Sequence, residues 1–198
     1  MQLDFRQVRE DEADVYLALM HAAYAPVKAL GIKFDAATAD RAMALHHLQS
    51  HGVYALYADE KMVSSATVRY PWGPLPGPFG LPHIGWFGAH PDYPGQHFGR
   101  QVLEWIEQEI LTGQLRAPAV SLGTATSHPW LQAMYLKRGF QPMHTRDLGK
   151  GHITLYMKKF WIRRHMMSGY AVRQQNKGAH HEHHYFRHIR RSANRIPS

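Results

Sequence analysis

The chain contains no cysteine in 198 residues, so disulfides, thiolate metal sites and a covalent cysteine intermediate are all excluded. No apolar run approaches the roughly 18 residues that a membrane-spanning helix needs. The start, MQLDFRQVREDEAD, is polar and acidic where a signal peptide would be basic and then apolar. A soluble, cytoplasmic protein is expected. Acids are scarce at the other end: residues 161–198 hold eight Lys/Arg against one acid, Glu182, and so carry all but one of the eight net positive charges. Residues 1–160 are nearly neutral, which argues against a nucleic-acid-binding body and leaves such contacts to the tail.

A hydrophobic content of 44% suffices for one sizeable core. Leu3–Arg9 reads as a first strand. Asp11 can cap a helix whose apolar positions Ala13, Tyr16, Leu17, Met20, Ala23, Tyr24 and Val27 follow helical spacing. After a break at Gly31, a second helix is predicted near Thr38–Ser50, then strands Val53–Ala58 and Met62–Tyr70 joined by the turn Asp59-Glu60-Lys61. The segment Pro71–Pro82 holds five prolines and three glycines in its twelve residues and must be a loop. His83–Ala89 and Ala119–Gly123 read as strands, Gly99–Leu111 and Pro129–Lys137 as helices, and Gln141–Asp147 and His152–Phe160 as a last pair of strands. That order predicts a mixed sheet with helices on both sides.

The segment Ala89–Ile110, AHPDYPGQHFGRQVLEWIEQEI, carries the most chemistry. Gly95 and Gly99 permit a tight turn into an amphipathic helix that places Val102, Leu103, Ile106 and Ile110 on one face and Glu104, Glu107 and Glu109 on the other. The N-terminus of such a helix offers unpaired N–H groups and a partial positive charge to a phosphate, although any surface helix needs an entry turn.

Three features together resemble the GCN5-related N-acetyltransferase (GNAT) superfamily over residues 3–160. AHPDYPGQHFGRQVL is similar to the family's acyl-CoA signature, TATSHPWLQAMYLKRGF to its late strand and helix, ending in Tyr135-Leu136-Lys137-Arg138-Gly139-Phe140, and the element order includes a hairpin before the cofactor strand. The resemblance implies an α/β (α+β) fold with a central mixed, mostly antiparallel sheet. It also implies transfer of an acetyl group from acetyl-CoA, as co-substrate, to a primary amine of a small molecule or peptide by direct attack. Domain boundaries follow: residues 1–160 as the acetyltransferase domain and 161–198 as a basic, His/Arg-rich extension.

Site roles are implied residue by residue. The Phe87 amide would polarise the thioester carbonyl, with Gly88 and Ala89 along the pantetheine arm. Gly95, Gln96, His97, Phe98, Gly99 and Arg100 would meet the pyrophosphate, and His128 stands where the family usually has Asn. Within the six-residue motif Pro94 removes an amide donor, and His97 is costly wherever positive φ is required. Tyr135 stands where a tyrosine protonates the departing thiolate; the other reading is a packed aromatic. Eleven residues before the motif lies His83, able to act as a base if not merely solvated at a strand entrance. Acceptor contacts are assigned to Tyr24, Trp72 and Trp86, in a region that also holds Phe34, Tyr70 and Phe79. No metal ligand set is assigned.

Rival readings come from the altered motif and from the tail. The first suggests a non-catalytic acyl-CoA-binding or sensing domain. HHEHHYFRHIRR, with five histidines and three arginines, suggests metal or nucleic-acid binding through residues 161–198, or a solvated extension. Monomer and homodimer both remain open.

Overall fold

Asp59 and Glu60 both take positive φ, 46° and 68°. This is the geometry of a two-residue hairpin turn. It folds β2 (Gly52–Ala58) back on β3 (Lys61–Arg69), and every residue of β2 is buried. A strand buried on both faces needs cover on both. Val53, Ala55 and Tyr57 meet the helices α1 (Ala13–Ala29) and α2 (Arg41–Ser50). On the opposite face Tyr54 packs against Trp105 of α3 (Phe98–Trp105), as does Phe5 of β1 (Leu3–Gln7).

This computed structural model describes residues 1–128 and 130–161, and Met1–Phe160 form one compact unit. Seven strands make one sheet in the order β1-β2-β3-β4-β5-β7-β6. Here β4 is His83–Ala89, β5 Ala119–Ala125, β6 Gln141–Asp147 and β7 Ile153–Phe160. Only β4 and β5 run parallel; all other neighbours are antiparallel. The short α4 (Leu131–Lys137) connects β5 to β6. The fold is the expected mixed, mostly antiparallel sheet between helices.

Several boundaries differ from the sequence reading, each for a local reason. Asp11 does not cap α1: it pairs with Arg9 at 3.0 Å, inside a 3-10 turn Glu10–Glu12. The Glu12 carboxylate closes that turn by accepting the Arg9 amide at 3.0 Å. The second helix begins at Arg41 rather than near Thr38, because the Asp40 carboxylate accepts the Met43 amide at 2.8 Å. The third starts one residue early, at Phe98, and widens into a π-helix over Ile106–Gln114. The predicted role of Pro129 and all calls on the tail lie outside the described residues.

Candidate active site

β4 and β5 pair only at His83↔Ser121 and Ile84↔Leu122, then splay. From Gly85 to Ala89 the edge of β4 facing β5 has no strand partner, while its other edge stays paired to β3. Backbone groups left on such an edge need partners. Between the splayed strands lies a cavity of about 950 Å³, reached by Gly85–Ala89 on one wall and by Gly123, Thr124, His128, Met134 and Tyr135 on the other. The Thr124 hydroxyl is buried there without a hydrogen-bond partner among the described residues.

The β4 wall is bent by Trp86, which has φ of 39°, a strained value for a bulky residue. Its indole stacks on the His47 ring at 4.0 Å, and Tyr16 lies 6.2 Å from the indole and 6.3 Å from the imidazole, all three rings within 17° of parallel. The His47 ring in turn bonds the Thr67 hydroxyl at 2.8 Å. Trp86 is thus packed on its ring face to hold the bend that turns the next residue, Phe87, toward the cavity. Gly88 lets α1 come close, since a Cβ there would lie 2.7 Å from that of Ala23.

Phe87, Tyr24 and Tyr135 converge in this cavity. Burial holds the Tyr24 phenol well above the ordinary tyrosine range, neighbouring Tyr135 and Tyr16 add to the shift, and the Phe87 backbone pulls the other way by hydrogen bonding. Burial likewise raises Tyr135, which stays protonated at any neutral pH and packs 5.6 Å from the Phe140 ring. His83 is not a solvated strand-entrance residue: it is 5% exposed, with Nδ1 2.9 Å from the Ser121 hydroxyl. Burial, reinforced by the charge of Arg69, pushes its pKa down to about 3. Ser121 Oγ also lies 3.4 Å from the Pro82 carbonyl oxygen. The ring and the hydroxyl share one hydrogen at the 2.9 Å contact, its side set by the tautomer of His83.

At the other end of the cavity, His97 sits at φ 54°, ψ 29° immediately before α3. The left-handed geometry feared from the motif is therefore real. The His97 carbonyl takes the first intrahelical bond, from the Gln101 amide at 3.0 Å. The amides of Phe98, Gly99 and Arg100 thus lack intrahelical acceptors. Gly99 is needed for space, because a Cβ would lie 3.0 Å from the Phe87 ring. His97, Gly99 and Arg100 line the cavity, whereas Gly95, Gln96 and Phe98 do not. Gly95 is in open space at φ 77°, and the Phe98 ring is buried beside Tyr93. His128 lines the cavity, but its Nδ1 accepts the Leu131 amide at 3.4 Å at the start of α4.

Of the predicted acceptor residues, Tyr24 and Trp86 line the cavity, and Trp72 does not. Trp72 stacks on Tyr70 at 5.3 Å and is 72% exposed. The Pro-rich loop turns that ring outward. Sequence reasoning missed the charged lining. Arg69, Lys33 and Lys150 lie there, as do Glu107, Arg138 and Lys159. Glu107 accepts from Arg138 at 3.1 Å and from Lys159, and Asp35 pairs with Lys150 at 2.6 Å. Seven Lys/Arg side chains face three acids in the lining, which gives the cavity an excess of positive charge for a phosphate-bearing guest. The unpaired β4 edge, the free α3 amides and this charge all fit acetyl-CoA. Among the described residues there is no cluster of three metal-ligating side chains, and no helix is long and apolar enough to cross a membrane.

Comparison with known proteins agrees with this geometry. The model of the "Acetyltransferase (GNAT) family" matches residues 16–140. An S-(2-succino)cysteine N-acetyltransferase of Bacillus subtilis (strain 168) is 43% identical over 159 residues, 80% of this chain and 96% of that protein. An S-alkylcysteine N-acetyltransferase of the same strain is 36% identical over 159 residues, 80% of this chain and 89% of that one. In fold, the chain is similar to the PaiA N-acetyltransferase of Thermoplasma acidophilum, solved in complex with coenzyme A, with a TM-score of 0.63 at 13% identity over 81% of this chain and 100% of that one. The chain belongs to the GNAT acetyltransferase family and is an acetyl-CoA-dependent N-acetyltransferase of small-molecule amines.

Proposed function

We propose that the acceptor is the α-amine of an S-substituted cysteine, acetylated by direct attack on the thioester. The observation that carries the chemistry is the convergence of Phe87, Tyr24 and Tyr135 where β4 and β5 part. The acceptor class is supported by two relatives, 43% and 36% identical, that act on such cysteines. In the reaction the amine nitrogen bonds to the acetyl carbon, the C–S bond breaks, the amine gives up a proton and the thiolate gains one.

Each step has a residue suited to it. The Phe87 amide, which hydrogen-bonds the Tyr24 phenol oxygen in this structure, is assigned to the thioester carbonyl oxygen, which would take the place of that phenol; one such donor is worth about 3 kcal/mol in a dry site. Tyr135, protonated and buried, donates to the departing sulfur. His83 has a narrower part than a general base. At about 3 its pKa is too low to hold a proton taken from an ammonium at neutral pH. In the tautomer that carries its hydrogen on Nδ1, it serves instead as an acceptor that orients the amine through Nε2, and the amine loses its extra proton to water.

The test is a thiol-release assay with acetyl-CoA and a panel of amines, with the product identified by mass. S-alkylcysteines and S-(2-succino)cysteine are expected to give the highest kcat/KM. Higher values for polyamines or for peptide amines would reject the acceptor assignment.

A further inference from the structure

Arg69 ends β3 and lines the cavity on the side away from α3. Its Nε donates to the Leu75 carbonyl at 2.7 Å and Nη2 to the Pro76 carbonyl at 3.1 Å, so the Pro-rich loop fixes the guanidinium from one edge. These bonds use two of five N–H donors, and Nη1 makes none among the described residues. No carboxylate of the described residues pairs with it either: the cavity acids Asp35, Glu104 and Glu107 are all engaged by Lys150, Arg100, Arg138 and Lys159. Burial holds Arg69 below the ordinary arginine value. A half-buried guanidinium with carbonyl partners alone is short of a counter-charge.

Its position along β4 sets the size of what could supply one. A Cβ built at Gly85 would lie 3.9 Å from Arg69 Cδ, so the arginine stem crosses β4 two residues before Phe87. Across the bend at Trp86, with φ of 39°, these two residues span about 5–6 Å rather than the roughly 6–7 Å of an extended pair. A charge-assisted N–H···O bond of about 2.8 Å leaves roughly 3 Å. That is about the distance from the amine nitrogen of an α-amino acid to its carboxylate oxygens, given bond lengths near 1.5 Å.

We propose that Arg69 anchors the α-carboxylate of the acceptor with its unused guanidinium edge, and so restricts the enzyme to free α-amino acids over amines that lack a carboxylate. Its placement by the Leu75 and Pro76 carbonyls makes the Pro71–Pro82 loop part of the specificity machinery. The inference rests on reading this cavity as the acceptor site.

The test uses the full chain with two matched pairs of amines: S-methyl-L-cysteine with S-methylcysteamine, and L-phenylalanine with phenethylamine. The second member of each pair lacks the carboxylate. Arg69→Gln is expected to raise KM for the carboxylate-bearing member about 10²-fold, leaving its partner and the affinity for acetyl-CoA within about threefold. Arg69→Lys should recover part of the loss, because it restores charge without the planar fork. Titration calorimetry with acetyl-CoA reports whether each variant keeps its fold. Equal changes for both members of a pair, or a wild type indifferent to the carboxylate, would overturn the proposal, as would no turnover of either pair. If the wild type ignores S-methyl-L-cysteine but takes L-phenylalanine in preference to phenethylamine, and Arg69→Gln abolishes the preference for L-phenylalanine over phenethylamine, the assignment to S-substituted cysteines fails while the role of Arg69 stands.

Discussion

The two halves of the cavity are assembled differently. Trp86–Ala89, His97, Gly99 and Arg100, which we assign to the cofactor, come from a single stretch of 15 residues that runs down β4, round a turn and into α3. The half we assign to the acceptor draws on Tyr24, Lys33 and Phe34 after or within α1, Arg69 at the end of β3, His83 and Ile84 on β4, and His152 and Tyr156 near β7. A thioester and pyrophosphate are constant, so one local strand-turn-helix can hold them. An acceptor varies among enzymes of one fold, and its pocket is built where separate elements meet, which lets any wall change without disturbing the others.

Tyr135 lies at the junction and gives the sharpest way to break the comparison. Tyr135→Phe removes only the hydroxyl, which has no part in the packing against Phe140. If the hydroxyl protonates the thiolate, kcat falls about 10²-fold while KM for acetyl-CoA stays within about threefold. A kcat within twofold of wild type would make Tyr135 a packing residue of the cofactor half. Thiol release under saturating acceptor measures both quantities.

Legibility follows the same division. AHPDYPGQHFGRQVL and the Tyr135–Phe140 ending could be read because each is contiguous, and the sheet followed from alternating strands and a turn whose residues tolerate positive φ. Trp72 was misplaced because an aromatic in a Pro-rich loop looks identical in sequence whether it turns inward or, as here, stacks outward on Tyr70. Arg69 carried no signal of its own. Its significance depends on the absence of a nearby carboxylate, and that is a property of the packed molecule. His83 was found by counting, but its depressed basicity comes from burial against β5 and from Arg69, neither of which counting reveals.

Acid pH separates the halves by their histidines. His83, and His47 behind Trp86, are buried neutral, both pushed down to about 3, chiefly by burial. Their unfolded value is near 6.5, so between about 3 and 6.5 the unfolded chain binds protons that the native one does not, and stability falls as pH falls through that window. Each contributes a loss of about 1.4 kcal/mol per pH unit below about 6.5. Urea denaturation at pH 7.5 and 5.0 should therefore show a loss of about 4 kcal/mol from these two rings, with His51 and His128, also lowered by burial, adding to it, and His83→Gln should remove about 2 kcal/mol of the loss. Glu12, lowered to about 2 by its hydrogen bond to Arg6, adds its own loss only below about 4.5, outside this comparison. Stability unchanged between the two pH values would mean that these rings are already protonated or open to water.

The smallest effect is expected at the cofactor end, from His97→Gly. A non-glycine residue in the left-handed region costs about 1 kcal/mol, so glycine relieves strain at φ 54°. It also gives the unfolded chain more freedom, worth about the same amount. Folding stability should thus change by less than about 1 kcal/mol. The ring, however, is exposed at the cavity lining beside the free amides of α3, where an imidazole can donate to a phosphate. Losing one such bond should weaken acetyl-CoA binding about fivefold, near 1 kcal/mol, at unchanged kcat. Calorimetric titration of the variant decides the point: tighter binding would show that the backbone amides alone hold the pyrophosphate and that His97 is a strained substitute for glycine.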